Sequence, residues 1–139
     1  MPSASDATAG IAAVAAAIVC VGIAGFQAAL SAGAPLGVAA WGGGSTTLAT
    51  GYRIASGFAV VLWLLAAVVV LERSGSDVSP LAGAFVRWGT WFVFGLSLVG
   101  AFLNAASRSP WERFLWAPVS LVLAILVLVV ARSDAVPDA

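Results

Sequence analysis

Histidine and lysine are absent from this sequence of 139 residues, and cysteine occurs once, as Cys20. Without histidine, the chain lacks the commonest metal ligand and the usual acid–base catalyst near neutral pH. A single cysteine excludes an intrachain disulfide and a cysteine metal cluster, and its position in an apolar run predicts a buried packing residue. We therefore expect no cofactor, no metal site and no enzymatic activity.

Charge is also scarce, since 9% of the residues are charged, 62% are hydrophobic and the formal net charge is zero. Soluble domains have about 25% charged residues and roughly 45–50% apolar ones. The six basic residues are all arginines and form no basic run, which excludes nucleic acid as a partner. The composition predicts an integral membrane protein whose first partners are lipids.

Four long apolar runs predict an all-α, single-domain bundle of four transmembrane helices, at about 10–32, 47–73, 80–105 and 110–132. Residues 1–8 and 133–139 are predicted to be disordered tails. The stretch between the first two helices is too short to span a membrane and too apolar for an ordinary loop. We expect an interfacial or shallow re-entrant segment there, with Trp41 at the level of the lipid headgroups.

Local signals predict the helix ends. Ser45-Thr46-Thr47 is a candidate cap for helix 2, and Ser79-Pro80 for helix 3. Ser109-Pro-Trp-Glu112 has the form of a capping box at the start of helix 4. Pro118 predicts a bend near Phe114, and the glycines of helix 3 suggest that this helix is central in the bundle.

The charged side chains predict two clusters. With four crossings, the starts of helices 2 and 4 share one membrane face, so Arg53 is expected to approach Glu112 there. Arg108, Arg113 and Asn104 lie nearby in sequence and complete a candidate polar surface for a partner or a headgroup. Glu72 and Arg87 are a candidate second ion pair on the other face, where Arg87 alternatively extends to the interface. Three arginines fall on each face, so charge does not fix the orientation.

One glutamine and five tryptophans are predicted to lie near the ends of the helices or in the connection between the first two. Gln27 is expected to form an interhelical or interfacial hydrogen bond, with a substrate contact as the alternative. Five tryptophans are predicted to be interfacial anchors: Trp41, Trp88, Trp91, Trp111 and Trp116.

Four short motifs are spread along the chain: Ala32-Gly-Ala-Pro-Leu-Gly37, Trp41-Gly-Gly43, Arg53-x-x-Ser56, and Asn104-x-x-Ser107-x-Ser109-x-x-Glu112-Arg113 followed by Pro118. Through them the chain resembles a family of small, uncharacterised four-helix bacterial membrane proteins. The resemblance implies the four-helix fold and no particular activity. The family pattern often has a histidine and a Leu-Pro between the second and third motifs, which residues 44–50 replace here.

The stretch Gly43-Gly-Ser-Thr-Thr-Leu-Ala-Thr50 is similar to a motif of the fluoride-channel family, which implies an ion channel. In that family the motif contains phenylalanines and precedes the last helix and a half. In this chain the phenylalanines are missing and three predicted helices follow.

These observations leave three functional classes open. An accessory, scaffold or assembly subunit that packs against another membrane protein or against itself fits the small-residue stripes and aromatic belts best. A small oligomeric transporter or ion channel is the alternative, since ionisable residues within a membrane are functional candidates. A protein that binds a lipid or an apolar ligand is a further alternative. The alanine-rich, lysine-free composition suggests a bacterial plasma (inner) membrane.

Overall fold

The computed structural model describes residues 4–133 and is built from four α-helices. They are α1 (Ala4–Ala32), α2 (Thr50–Arg73), α3 (Gly83–Ala106) and α4 (Ala117–Ala131), with a π-helical turn, Glu112–Trp116, leading into α4. All four are long and apolar enough to cross a membrane when the last span is counted from Glu112 to Ala131. The prediction of an all-α bundle of four membrane helices is confirmed.

The first helix begins at Ala4, six residues before the predicted start. Asp6 lies in its first turn, where a negative charge is favourable near the positive end of the helix dipole, and the hydroxyl of Thr8 donates to the carbonyl of Ala4 (2.9 Å). The predicted tail is therefore wrong for residues 4–8. It is also wrong for Ser133, whose amide donates to Val130 O. Residues 1–3 and 134–139 lie outside the described residues.

The second and third helices both begin three residues later than predicted and lack side-chain caps. Their N-cap residues are Ala49 and Ala82. The hydroxyl of Ser45 donates instead to Thr47 O (3.0 Å), and the amide of Ser79 donates to the carboxylate of Glu72. Because these contacts hold the preceding segments as loops, the predicted capping roles of both serine clusters are wrong.

The segment between α1 and α2 contains one 3₁₀ turn, Gly37–Ala39, followed by irregular backbone. The amide of Gly37 donates to Thr46 O (2.8 Å), which folds the segment back on itself. At Gly37 an added Cβ would lie 2.3 Å from Ser45 O, so only glycine fits this close approach. The segment therefore forms a compact cover over one end of the bundle, which we call the 37–44 cover.

The irregularity predicted around Phe114 is present as the π-helical turn. Pro118 has no amide hydrogen, and its ring excludes an ordinary helical carbonyl four residues earlier. The turn accommodates it because the amide of Ala117 donates to Glu112 O, five residues back. The wider turn lies at the start of the fourth span, where Glu112 is located.

The core is built on α1 more than on α3, because α1 contributes nine buried residues and α3 contributes four. In the core, Ala13, Ala16 and Cys20 of α1 contact larger residues of α2 and α4 such as Val70 and Leu123. The small side chains let neighbouring helices approach closely, which is what stabilises helix association in lipid. The prediction that helix 3 is central is therefore wrong.

Candidate functional site

A half-open cavity of about 520 Å³ lies in the side of the bundle, near the end where α1 and α3 finish. Most of its wall is apolar or aromatic: Ile23, Phe26, Trp63, Val99, Leu103 and Trp116. A set of polar side chains also lines it: Gln27, Ser97, Asn104, Ser107, Glu112 and Ser120. The 37–44 cover contributes residues 39–42. An apolar chamber with a few polar groups is typical of small-molecule sites, which measure roughly 300–1,000 Å³.

The cavity is closed toward the opposite face of the bundle. The main core cluster occupies α1 between Ala12 and Cys20, and α4 between Leu123 and Val130, beyond the cavity on each helix. On the same side, α2 and α3 approach each other where a Cβ on Gly89 would lie 3.1 Å from Val69. Within residues 4–133, packed core therefore separates the cavity from the opposite face of the bundle.

Glu112 is the charged side chain of the cavity wall and is only 7% exposed. The amide of Gly42 donates to both carboxylate oxygens, at 3.0 and 3.2 Å, and the hydroxyl of Ser107 donates to Oε2. These donors come from the 37–44 cover and from the connection between α3 and α4. Glu112 therefore ties the cover to the helical corner.

Ser107 and Ser109 extend these contacts into what we call the Glu112 network, made of Gly42, Ser107, Ser109 and Glu112. The amide of Glu112 donates to Ser109 Oγ (3.4 Å), which is the cap half of the predicted capping box. The carboxylate does not return to the Ser109 amide, since that amide donates to Ser107 Oγ (3.0 Å). Ser109 Oγ donates in turn to Val38 O (2.6 Å) of the cover. The prediction was right for the cap and wrong for the role of the glutamate.

Two buried polar atoms of the cavity wall, Gln27 Oε1 and Trp116 Nε1, have no hydrogen-bond partner within residues 4–133. The interhelical or interfacial hydrogen bond predicted for Gln27 is thus wrong for its carbonyl oxygen. Trp116 was predicted to be an interfacial anchor, but its ring packs against Phe26 with centroids 4.7 Å apart and contacts the core. Leaving such a buried group unpaired costs about 1–3 kcal/mol.

Asn104 also lines the cavity, where its amide donates to Ser120 Oγ (3.3 Å) across the α3–α4 contact. The sequence placed Asn104 in the polar cluster correctly. It gave no indication that Ser120, inside the apolar fourth helix, or Trp63, inside the second, would face the same chamber. A serine and a tryptophan in the middle of apolar spans were the available signals.

Two arginines at this end of the bundle, Arg53 and Arg113, donate to carbonyls at the C-terminal ends of helices rather than to Glu112. Arg53 Nε donates to Ser31 O (3.1 Å), and its guanidinium lies against Gly33, where the backbone φ of +96° ends α1. Arg113 Nη2 donates to Ser107 O (2.7 Å) at the end of α3. The predicted pairing of Arg53 with Glu112 is therefore wrong, because the carbonyls that a helix leaves unpaired at its C-terminus bind the cation instead.

Arg73 also donates to carbonyls at the C-terminal end of a helix, at the opposite face of the bundle. The sequence interpretation assigned it no role. It is 8% exposed, and its Nη2 donates to Ala131 O (3.2 Å) and Ser133 O (2.8 Å) at the end of α4. Glu72 beside it accepts from Ser79, and the guanidinium of Arg87 lies 5.6 Å from the ring of Trp88. The contacts described for Glu72 and Arg87 thus differ from the predicted ion pair.

The remaining candidates lie on the outer surface. The rings of Trp88, Trp91 and Trp111 are exposed, as a membrane anchor requires, and so is Arg108. Trp41 is partly exposed at the rim of the cavity, and its indole donates to Ser56 Oγ (3.1 Å), which is fully buried. Trp41 therefore fixes the 37–44 cover to α2 in addition to any contact with lipid.

The four motifs converge at this end of the bundle although they are spread over residues 32–118 of the sequence. Arg53 contacts the end of α1, Ser56 contacts Trp41, and Gly42 contacts Glu112. The Gly43-Gly-Ser-Thr-Thr stretch lies in the connection to α2 and does not line the cavity. No group of three or more metal-ligating side chains occurs in residues 4–133. Comparison with protein-family models, curated proteins and solved structures finds no match.

Proposed function

We propose that this protein binds an amphipathic small molecule within the membrane. The observation that carries the proposal is the 520 Å³ cavity, whose walls are apolar and whose polar groups surround the buried carboxylate of Glu112. Of the three classes that the sequence left open, this supports ligand binding best. The apolar part of the ligand contacts Phe26, Trp63 and Trp116, and its polar end contacts Gln27 and the Glu112 network.

The position of the opening supports entry from the lipid phase. Val99 and Leu103 line the cavity and are also exposed on the outside of α3, so the chamber opens sideways past apolar side chains. A ligand dissolved in the acyl-chain region reaches the cavity by this route without crossing the polar surface of the bundle. Because the ligand leaves lipid rather than water, close packing and polar contacts favour the cavity over the bilayer, and not the removal of apolar surface from water.

The closed end favours binding over conduction. A transporter or channel needs polar groups along a path to both faces, whereas the core between the cavity and the opposite face is lined by alanine, valine and leucine. A small oligomeric transporter remains the alternative, since an oligomer can form a path that a single chain does not. We place the protein in a bacterial plasma membrane on composition.

The accessory-subunit role has one supporting observation of its own. A wholly separate groove of about 600 Å³ runs between α2 and α3 and is lined almost entirely by apolar side chains, including Leu62, Leu65, Phe85, Trp88 and Phe92. A helix of another membrane protein fits such a groove by close packing.

A photo-crosslinking amino acid at Trp88, compared with one at Phe58 outside the groove, tests this second role. Both side chains are highly exposed, at 68% and 74%. A defined protein adduct from position 88 alone supports the role, and lipid adducts from both positions contradict it.

Filling the cavity tests the main proposal. Gly100 lies on the cavity wall, where an added Cβ would be in ordinary contact with Ser120, at 3.5 Å from its hydroxyl, so Gly100→Leu directs a larger side chain into the chamber. Gly95→Leu is the matched control, because no atom lies within 4 Å of a Cβ at this position of the same helix, outside the cavity.

Binding is measured by equilibrium dialysis of the uncharged probe N-phenyl-1-naphthylamine against lipid nanodiscs with and without the protein. We expect saturable binding to the wild type and to Gly95→Leu, and at least a roughly tenfold weaker affinity for Gly100→Leu, equal to 1.4 kcal/mol. Equal uptake by all three proteins and by empty nanodiscs contradicts the proposal.

A further inference from the structure

We infer that the ligand of this cavity is an organic cation, with one positive charge on the end that faces Glu112. This inference rests on the proposed function, since it names the chemical class that the same cavity takes. It is carried by three observations: the surroundings of the carboxylate, the other polar groups of the wall, and the aromatic rings beside them.

The carboxylate of Glu112 is buried and has only uncharged partners. Gly42 contributes an amide and Ser107 a hydroxyl, and within residues 4–133 no ion pair includes Glu112. The nearby cations are engaged elsewhere or exposed, because Arg53 donates to Ser31 O, Arg113 donates to Ser107 O, and Arg108 lies at the surface. A buried charge without a counter-ion is expensive, so a cation that reaches it gains a strong interaction.

The rest of the wall adds no opposing charge. Its other polar side chains, Gln27, Ser97, Asn104 and Ser120, are neutral, so as a carboxylate Glu112 gives the chamber one net negative charge. An anionic ligand is repelled from such a site, and the phosphate of a zwitterionic lipid is also opposed. A positive charge is the one type of ligand charge that the chamber favours.

Aromatic rings surround the same space. Phe26, Trp41, Trp63 and Trp116 all line the cavity, and the Phe26 and Trp116 rings are in contact. The faces of aromatic rings attract cations, and tryptophan does so most strongly. The rings also provide apolar contact for the hydrocarbon groups of an organic cation, which a hydrated inorganic ion does not use. Together these features favour a bulky cation with an apolar exterior.

Two ions of nearly the same size and shape but opposite charge test the inference: tetraphenylphosphonium and tetraphenylborate. Binding of each radiolabelled ion is measured by equilibrium dialysis against phosphatidylcholine nanodiscs that contain the wild type, Glu112→Gln or Glu72→Gln, with empty nanodiscs subtracted. Glu72 is the matched control, because it is a glutamate on the opposite face that does not line the cavity.

We expect the wild type and Glu72→Gln to bind the cation at least about tenfold more tightly than the anion, whereas Glu112→Gln loses roughly thirtyfold in cation affinity. Glu72→Gln keeps the wild-type affinity for N-phenyl-1-naphthylamine within about threefold, because its side chain does not line the cavity. Equal binding of the two ions by the wild type, or an unchanged cation affinity of Glu112→Gln, overturns the inference.

Competition on the wild type alone gives a second measurement that does not depend on a variant that folds. Tetraphenylphosphonium should displace the bound uncharged probe at a concentration at which tetraphenylborate does not. One outcome separates the two proposals: the probe binds the wild type but not Gly100→Leu, and both ions displace it at the same concentration. In that case the charge inference fails and the proposed function stands. If neither the probe nor either ion binds, the proposed function fails as well.

Discussion

Replacing Glu112 by alanine should destabilise the protein strongly, because its carboxylate connects the 37–44 cover to the α3–α4 corner. The change removes the acceptor of the Gly42 amide and of the Ser107 hydroxyl. Hydrogen bonds to a charged group contribute about 1.5–3 kcal/mol each. Solvent that enters the emptied space can accept from one of the freed donors. We therefore expect the free energy of unfolding to fall by about 3 kcal/mol, which is the lower limit of the two hydrogen-bond contributions added together.

The buried thiol of Cys20 provides the assay. It is fully buried and is the chain's single cysteine, so a thiol-reactive fluorescent dye reports unfolding without any engineered label. For a chain of this length the expected loss lowers the unfolding temperature by roughly 10 °C. Glu112→Gln, which keeps one acceptor oxygen, should fall between the wild type and Glu112→Ala.

Asp77→Asn is the control, because Asp77 is exposed at the opposite end and asparagine tolerates its positive φ of 45°. Hydrogen exchange gives a local reading, since the Gly42 amide should lose protection in Glu112→Ala. If Glu112→Ala unfolds at the temperature of Asp77→Asn and the Gly42 amide stays protected, the carboxylate does not hold the cover and our reasoning about the network is wrong.

The same thiol assay tests three further contacts. Arg73→Met should lose about 2–3 kcal/mol, because a buried guanidinium no longer binds the carbonyls at the end of α4. Arg53→Met should lower the free energy of unfolding by about 1–2 kcal/mol, because the carbonyl of Ser31 at the end of α1 loses its donor. Arg108 is exposed, so Arg108→Met should not change the free energy of unfolding. Equal effects of all three changes contradict the capping roles of Arg53 and Arg73. Gly43→Ala should lose about 1–3 kcal/mol, because its φ is +69° and a Cβ would lie 2.8 Å from Ser109 Cβ. Gly44→Ala, with open space around the new methyl group, should change little, and a reversed order of the two glycine variants refutes this packing.

The four helices could be predicted because composition alone decides them. Backbone in lipid must form its own hydrogen bonds, and a chain with 62% hydrophobic and 9% charged residues has four continuous apolar runs that are long enough to do so as spanning helices. The effect of Pro118 could also be predicted from the sequence, because its missing amide hydrogen and the clash of its ring both act within one helical turn. The irregular turn therefore occurs where the sequence placed it.

Capping signals failed where tertiary contacts override local ones. Ser45 and Ser79 have the right side chains to begin a helix, but hydrogen bonds from Gly37 to Thr46 and from Ser79 to Glu72 hold their backbones in loops. Capping preferences predict the first residue of a helix when no tertiary contact fixes the backbone that precedes it. In this protein the positions of the segments before α2 and α3 are set by contacts that no local pattern records.

The charged residues were placed at the correct end of the bundle but paired incorrectly. Topology alone puts Arg53 and Glu112 on one face, whereas pairing depends on which helices are neighbours and on what the connections offer. The end of α1 offers unpaired carbonyls to Arg53, and the 37–44 cover offers an amide to Glu112. The cavity could not be predicted at all, because it depends on the spacing of helices rather than on any motif. Its signals in the sequence were polar side chains within apolar runs: Gln27, Trp63, Trp116 and Ser120.

The stoichiometry of probe binding tests the central claim most directly, because a real cavity saturates and partitioning into lipid does not. N-phenyl-1-naphthylamine titrated into nanodiscs of the wild type should saturate at one molecule per chain, and this component should disappear in Gly100→Leu and persist in Gly95→Leu. Uptake that rises linearly with probe concentration in all three proteins, as it does in empty nanodiscs, would contradict the account.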